Sequence, residues 1–210
     1  MTSHSTSAGA PALRRILPVL YLGVFMAALD TAVIGPAIPA LREAFGVDNR
    51  EVGLVTIVFV LFSLSSTALM ASLSDRHGRR PVYLGGVATF ALGSLVIALS
   101  PQFWTILLGR AIQGIGAGGI IPSASAVIGD LVPHERQGRA LGMIGAVYGM
   151  AFVLGPPLAG YLYSIQPEWI YATSLALILV GLAANWAFSP VRRADIQAFE
   201  EREQTEWTQT

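Results

Sequence analysis

Asp30 and Arg110 are the only charged side chains within six long apolar runs of this 210-residue chain, at roughly 16–39, 52–71, 82–100, 103–127, 140–162 and 169–189. A charge in hydrocarbon costs about 2.5–3.5 kcal/mol even on the lenient insertion scale, so each requires a partner or a water-filled cavity. A carboxylate beside a fixed cation can take up and release a proton, and the same two groups can also form a static ion pair. Gln113 follows Arg110 by one helical turn, which puts both on one helix face and predicts that this face lines a polar cavity. Asp30 lies roughly 21 Å along its run from one end, at 1.5 Å per residue in a hydrocarbon core of about 30 Å. Arg110 lies in a run of the opposite direction, roughly 10 Å from its outer end. Both therefore fall in the outer half of a bilayer.

The elements that must position them are helices. Each run is close to the ~20 residues that cross a membrane. Hydrophobic residues make up 53% of the chain and charged residues 12%, against about a quarter charged in soluble domains. The predicted fold is an all-α membrane protein of six transmembrane helices, arranged as two three-helix repeats over 16–100 and 103–189. Asp30 and Arg110 then occupy the first helix of each unit, as in transporters whose repeats build a site near the midplane. The predicted organisation is a cytoplasmic tail at 1–13, a six-helix bundle at 14–189, and a cytoplasmic tail or central linker at 190–210.

Orientation follows from the arginines, which account for all thirteen basic residues. Ten of them (Arg14, Arg15, Arg76, Arg79, Arg80, Arg136, Arg139, Arg192, Arg193, Arg202) fall on one side of the spans and two, Arg42 and Arg50, on the other. Positive loops stay in the cytoplasm, which places both termini there. Trp169 and Trp186 bracket the last run as interfacial anchors do. Net charge is zero and no basic run is dense enough for nucleic acid. The chain has no cysteine, and His4, His77 and His134 have no second ligand at metal spacing, so neither a metal nor a cofactor is expected. No nucleophile–base pair or phosphate loop is present, which argues against an enzyme.

Four stretches resemble signatures of the major facilitator superfamily. Ala71-Ser-Leu-Ser-Asp-Arg-His-Gly-Arg-Arg80 is similar to its loop signature G-x-L-a-D-r-x-G-r-r, departing only at Ala71. Asp75 is predicted to cap the following helix, Gly78 to make the turn, and Arg76, Arg79 and Arg80 to hold the loop at the cytoplasmic face. Leu29-Asp-Thr-Ala-Val-Ile-Gly-Pro-Ala-Ile-Pro39 resembles the first-helix signature of drug:proton antiporters, with Ala32 and Gly35 where the family has Thr and Asn. Pro36 and Pro39 are predicted to bend or end that helix. The stretch Leu107–Gly119 resembles the fourth-helix signature at Arg110, Gln113, Gly114, Gly116 and Ala117. Gly155-Pro-Pro-Leu-Ala-Gly160 resembles the antiporter signature G-P-x-x-G-G, with Ala159 in place of a glycine. Pro156, Pro157 and the small residues could equally serve packing alone.

The resemblance implies half of a secondary active transporter, in which Asp30 and Arg110 couple protons, Gln113 lines the substrate cavity, and the Asp75 loop gates the inner end. Family members have twelve or fourteen helices. Alternating access needs two bundles, so six helices imply a missing C-terminal half, a separate partner half, or a second copy as a parallel homodimer. The implied function is proton-coupled export of a small hydrophobic or amphipathic compound, driven by the proton gradient across the plasma membrane. The alternative is a non-transporting membrane protein that binds or regulates a partner transporter. Retention of two costly membrane charges favours transport.

Overall fold

A computed structural model of the chain describes residues 10–165 and Ala183. Among the described residues are five α-helices: α1 (Ala10–Phe45), α2 (Asn49–His77), α3 (Arg79–Ala98), α4 (Phe103–Leu131) and α5 (His134–Ile165). All five are long and apolar enough to cross a membrane. Apart from Ala183, the sixth predicted span at 169–189, its two tryptophans and the tail at 190–210 lie outside the described residues. The described residues thus cover the first predicted three-helix unit and two helices of the second predicted one.

The helices overrun the apolar runs because polar residues at the bundle ends supply their own caps. Between α1 and α2 the sequence predicts about twelve loop residues after Pro39, but the connection is only Gly46, Val47 and Asp48. Gly46 takes a left-handed φ of 63° and donates its N–H to the Arg42 carbonyl at 2.9 Å, ending α1 where only glycine is unstrained. Asp48 then opens α2. Its Oδ1 accepts from the N–H groups of Arg50 and Glu51 at 2.8 Å, and Glu51 Oε2 accepts from Asp48 N–H at 2.9 Å. This is a capping box, legible as Asp48-x-x-Glu51.

Pro36 and Pro39 do not end α1, which continues to Phe45. A mid-helix proline costs about 3 kcal/mol or more and frees the carbonyl four residues back. Packing on both sides of the outer turns overrides that cost. Ala37 is buried with Val33, Ala159 and Leu162, and Leu41 with Val52, Val55, Phe103 and Ile106. Likewise α5 runs through Pro156 and Pro157 to Ile165.

At the other end of the bundle a single residue, Gly78, with φ 96°, joins α2 to α3. Val132 and Pro133 join α4 to α5, and Gln137 Nε2 donates to the carbonyls of Gly129 and Val132 at 2.9 Å, satisfying the C-terminal end of α4. Arg76, Arg79, Arg80, Arg136 and Arg139 thereby share one end, opposite Arg42 and Arg50, as the arginine distribution predicts.

In the core, α4 packs against both α2 and α3, while α1 packs mainly on α5 and touches α4. Glycines set the closeness. A Cβ on Gly116 would lie 2.5 Å from Phe90 N and 2.6 Å from Gly86 O of α3, and one on Gly114 would lie 2.6 Å from Phe59 O of α2. The Gly114-x-x-x-Gly118 pattern therefore does bring backbones together, against α2. Tyr83 Oη shares its one proton between the carbonyls of Val19 and Leu20, and Tyr21 Oη donates to that of Ala140 at 3.2 Å, tying α1 to α3 and α5. Large parts of α2 and α5 carry exposed apolar side chains, among them Ile57, Leu64, Met150 and Val153.

Candidate functional site

The contact of α1 with α4 brings Asp30, Arg110 and Gln113 into one buried cluster. Asp30 lies near the middle of α1, and Arg110 is two turns into α4. Arg110 is 1% exposed, Gln113 1% and Asp30 9%. Arg110 Nη1 donates to Gln113 Oε1 at 2.7 Å and lies 3.4 Å from Asp30 Oδ2, while Arg110 Nε donates to the Val55 carbonyl of α2 at 3.2 Å. Its guanidinium carbon sits 4.2 Å from the centroid of the Phe59 ring, a desolvated cation–π contact of about 2 kcal/mol. Gln113 Nε2 donates to Asp30 Oδ2 at 3.0 Å and to Ser94 Oγ of α3 at 2.6 Å.

The cation is therefore held by α2 and by Gln113 more tightly than by Asp30. That arrangement suits a carboxylate that changes charge: when Asp30 is neutral, Arg110 still has a carbonyl, an amide oxygen and an aromatic face. A buried guanidinium cannot shed its own charge, since Arg remains protonated throughout the accessible range. Of the two groups, only the carboxyl can gain or lose a proton in that range.

Around this cluster the Gly155–Gly160 stretch grips α1 rather than the site itself. A Cβ on Gly155 would lie 2.6 Å from Ala32 Cβ, and Ala159 is fully buried beside Val33 and Ala37. Pro156 and Gly160 are exposed, and a Cβ on Gly160, Gly145 or Gly149 would meet nothing within 4 Å. Close approach is therefore real at Gly155 and Ala159 and absent at Gly145, Gly149 and Gly160.

The Asp75 loop is built differently from the prediction. Asp75 lies inside the last turn of α2, and α3 opens at Gly78 with no side-chain cap. Its carboxylate instead pairs with Arg79, one turn on. Arg79 Nε also donates to Asp130 Oδ2 at the end of α4, at 3.0 Å. Arg79 thus clamps α2, α3 and α4 at one end of the bundle. The physical reason is competition: a one-residue turn brings the guanidinium, with its five donors, to the carboxylate before the α3 amides can reach it. Gly78 has the left-handed conformation the turn needs. Arg76 is exposed and Arg80 half-buried, and His77 and His134 are exposed.

Sequence reasoning missed Ser94, Phe59 and Asp130. Asp130 was legible in principle as the acid nearest the basic loop. Ser94 and Phe59 carry no signal beyond lying in apolar runs.

Residues 20–209 match the model of the Major Facilitator Superfamily. The uncharacterized MFS-type transporter YfiU of Bacillus subtilis (strain 168) is 40% identical over 167 residues, covering 78% of this chain and 32% of that protein. Efflux pump dotC of Dothistroma septosporum (strain NZE10 / CBS 128990) is 35% identical over 173 residues, 82% of this chain and 30% of the pump. Multidrug resistance protein 3 of Bacillus subtilis (strain 168) is 31% identical over 179 residues, 85% of this chain and 35% of that protein. The chain spans about a third of the length of these relatives. Among solved structures, the human organic anion transporter MFSD10 (TETRAN) is similar with a TM-score of 0.72 and 25% identity, over 84% of this chain and 47% of that one. A D-xylose-proton symporter shares the fold with a TM-score of 0.73 at 18% identity, over 92% of this chain and 53% of that one. A match across most of its length, relatives 31% to 40% identical to it, and five membrane-length helices in the same fold make this chain an integral membrane protein of the Major Facilitator Superfamily.

Proposed function

We propose that this chain supplies one helical half of a proton-coupled exporter of small hydrophobic or amphipathic compounds. The observation that carries the reading is the buried Asp30–Arg110–Gln113 cluster, in which a carboxylate of α1 faces a permanent cation of α4. Relatives named efflux pumps and multidrug resistance proteins support the export direction. In this reading Asp30 takes a proton from the outer side, its contacts to Arg110 and Gln113 weaken, and α1 shifts against α4. Release of the proton to the cytoplasm restores the pair. Substrate competes with the proton for the cavity beside the cluster, so inward proton flow drives outward transport. The second half packs on the exposed apolar faces of α2 and α5, with lipid against the rest. Neither catalysis nor a cofactor is part of this scheme.

The test is efflux of ethidium from proteoliposomes holding the chain together with its second helical half. An imposed pH gradient is expected to drive efflux, and a protonophore to stop it. Efflux indifferent to the gradient would sink the coupling. No transport of any lipophilic probe, with a partner still bound, would favour the regulatory alternative.

In this reading both termini lie in the cytoplasm, with the Asp75 loop closing the inner end of the pathway. In this Cys-free chain a cysteine at position 77 is expected to react with an impermeant thiol reagent only from the cytoplasmic side, and one at position 48 only from outside. The reverse pattern would invert the assignment. Because Asp75 and Asp130 are more than half exposed, their two pairs with Arg79 contribute only about 1 kcal/mol together. In this reading the clamp is made only in the outward-open form, so removing both as Asp75→Asn with Asp130→Asn is expected to shift the balance of inward-open and outward-open cavities by roughly fivefold toward inward-open. Unchanged cavity accessibility would reduce the clamp to a topology anchor.

A further inference from the structure

Ser94 belongs to none of the signatures, yet it is 4% exposed and touches the centre of the cluster. Its Oγ lies 2.6 Å from Gln113 Nε2 and 3.1 Å from the carbonyl of Phe90, one turn back on α3. A hydroxyl has one proton to give. With that proton donated to Phe90, only lone pairs face Gln113, so the amide must present its NH2 group to Ser94. Both donors of that group are then placed, one on Ser94 and one on Asp30, and the amide oxygen is left for Arg110.

The reversed amide would set its oxygen against the Asp30 carboxylate and its NH2 against the guanidinium, two like-pole contacts in a low-dielectric interior. The side chain also has little room to swing, since a Cβ on the neighbouring Gly93 would lie 2.6 Å from Gln113 Cγ. Asp30 and Arg110 are the only charged side chains among the described buried residues. From α2 the cluster meets the Val55 carbonyl and the Phe59 ring, and α5 faces this stretch of α1 through Ala151, Gly155 and Ala159.

We propose that Ser94 is a positioning residue whose hydroxyl holds the Gln113 amide with its NH2 toward Asp30, so that α3 helps set how readily Asp30 holds a proton. The role of that proton in transport rests on the function proposed above; the hydrogen-bond assignment does not. An N–H directed at Oδ2 favours the ionised carboxylate. Losing the group that aims it should therefore let Asp30 keep its proton to higher pH.

The experiment is an infrared pH titration of the protonated-carboxyl C=O band of Asp30 in the reconstituted, transport-competent protein, with the band assigned by its loss in Asp30→Asn. In Ser94→Ala, which removes one oxygen and keeps a good helix former, the midpoint is expected to rise by about one pH unit, a tenfold gain in proton affinity. In a Gln113→Leu background the same Ser94→Ala change is expected to move the midpoint no further, because Ser94 acts through that amide. A midpoint unmoved by Ser94→Ala would overturn the assignment, whatever happens to the melting temperature. So would an equal shift with Gln113 already gone. If Asp30→Asn still exported along a pH gradient, the coupling reading would fall, and the infrared midpoint would still decide the place of Ser94.

Discussion

Asp30→Asn is expected to abolish pH-driven export while leaving a protein that inserts and binds its second half. Asparagine keeps the shape and can still accept from Gln113 Nε2, but it cannot bind and release a proton. The cost to stability is real: breaking a buried pair by removing one charge destabilises by about 3–5 kcal/mol. Here the lower end applies, because Arg110 retains the Val55 carbonyl, the Gln113 amide and the Phe59 ring. Arg110→Ala is expected to be as damaging to export for a different reason. Asp30 then loses its cation and can neutralise itself by staying protonated, a route the guanidinium lacks. Adding Arg110→Gln to Asp30→Asn should therefore recover thermal stability without recovering transport. Ethidium efflux under an imposed pH gradient, measured beside a melting curve, separates the two effects. Undiminished export by Asp30→Asn would remove Asp30 from the mechanism.

Gly116→Leu is expected to unseat α3 from α4. Its Cβ would lie 2.5 Å from Phe90 N and 2.6 Å from Gly86 O, so the two backbones would have to part by about 1 Å, at the upper end of the ~1–3 kcal/mol typical of overpacking. Gly85 is the control. It is exposed on α3 next to Gly86, and a Cβ there meets nothing within 4 Å, so Gly85→Leu should melt near wild type. Equal melting temperatures for the two variants would mean that the α3–α4 contact is looser than its glycines indicate. Separation at Gly116 should also disturb Gln113, one turn away, and with it the proton midpoint of Asp30.

The pairing of Asp30 with Arg110 and Gln113 was legible in the sequence because a membrane makes charge conspicuous: an acid or a base in hydrocarbon must have an explanation. Their helices were legible from apolar length alone. The ends of those helices were less so, because hydropathy stops where polar caps begin. Asp48-x-x-Glu51 lies beyond the apolar run yet starts α2, and α1 passes two prolines that local propensity would have made its end. The reach of Asp75 was misjudged because a signature gives the order of residues and not which neighbour arrives first; Arg79 outcompetes the backbone. Ser94 was illegible. A serine in an apolar run is compatible with a helix back-bond, a lipid-facing hydroxyl or a network contact, and only the crossing of α3 over α4 selects among them.

The two partners of the central ion pair are 80 residues apart in the chain, and that distance has a consequence for biogenesis. At about 5–20 residues per second of synthesis, the first helix waits roughly 4–16 seconds before its cation is made. Until then Asp30 must be tolerated in the nascent chain by the apolar residues around it, or carry a proton borrowed from water near the insertion machinery. The neutral form of the carboxyl, which the mature protein would use in each transport cycle, is thus also the form in which the first helix can most easily wait. Further apolar contacts of α1 are made later still, when α5 emerges to meet it.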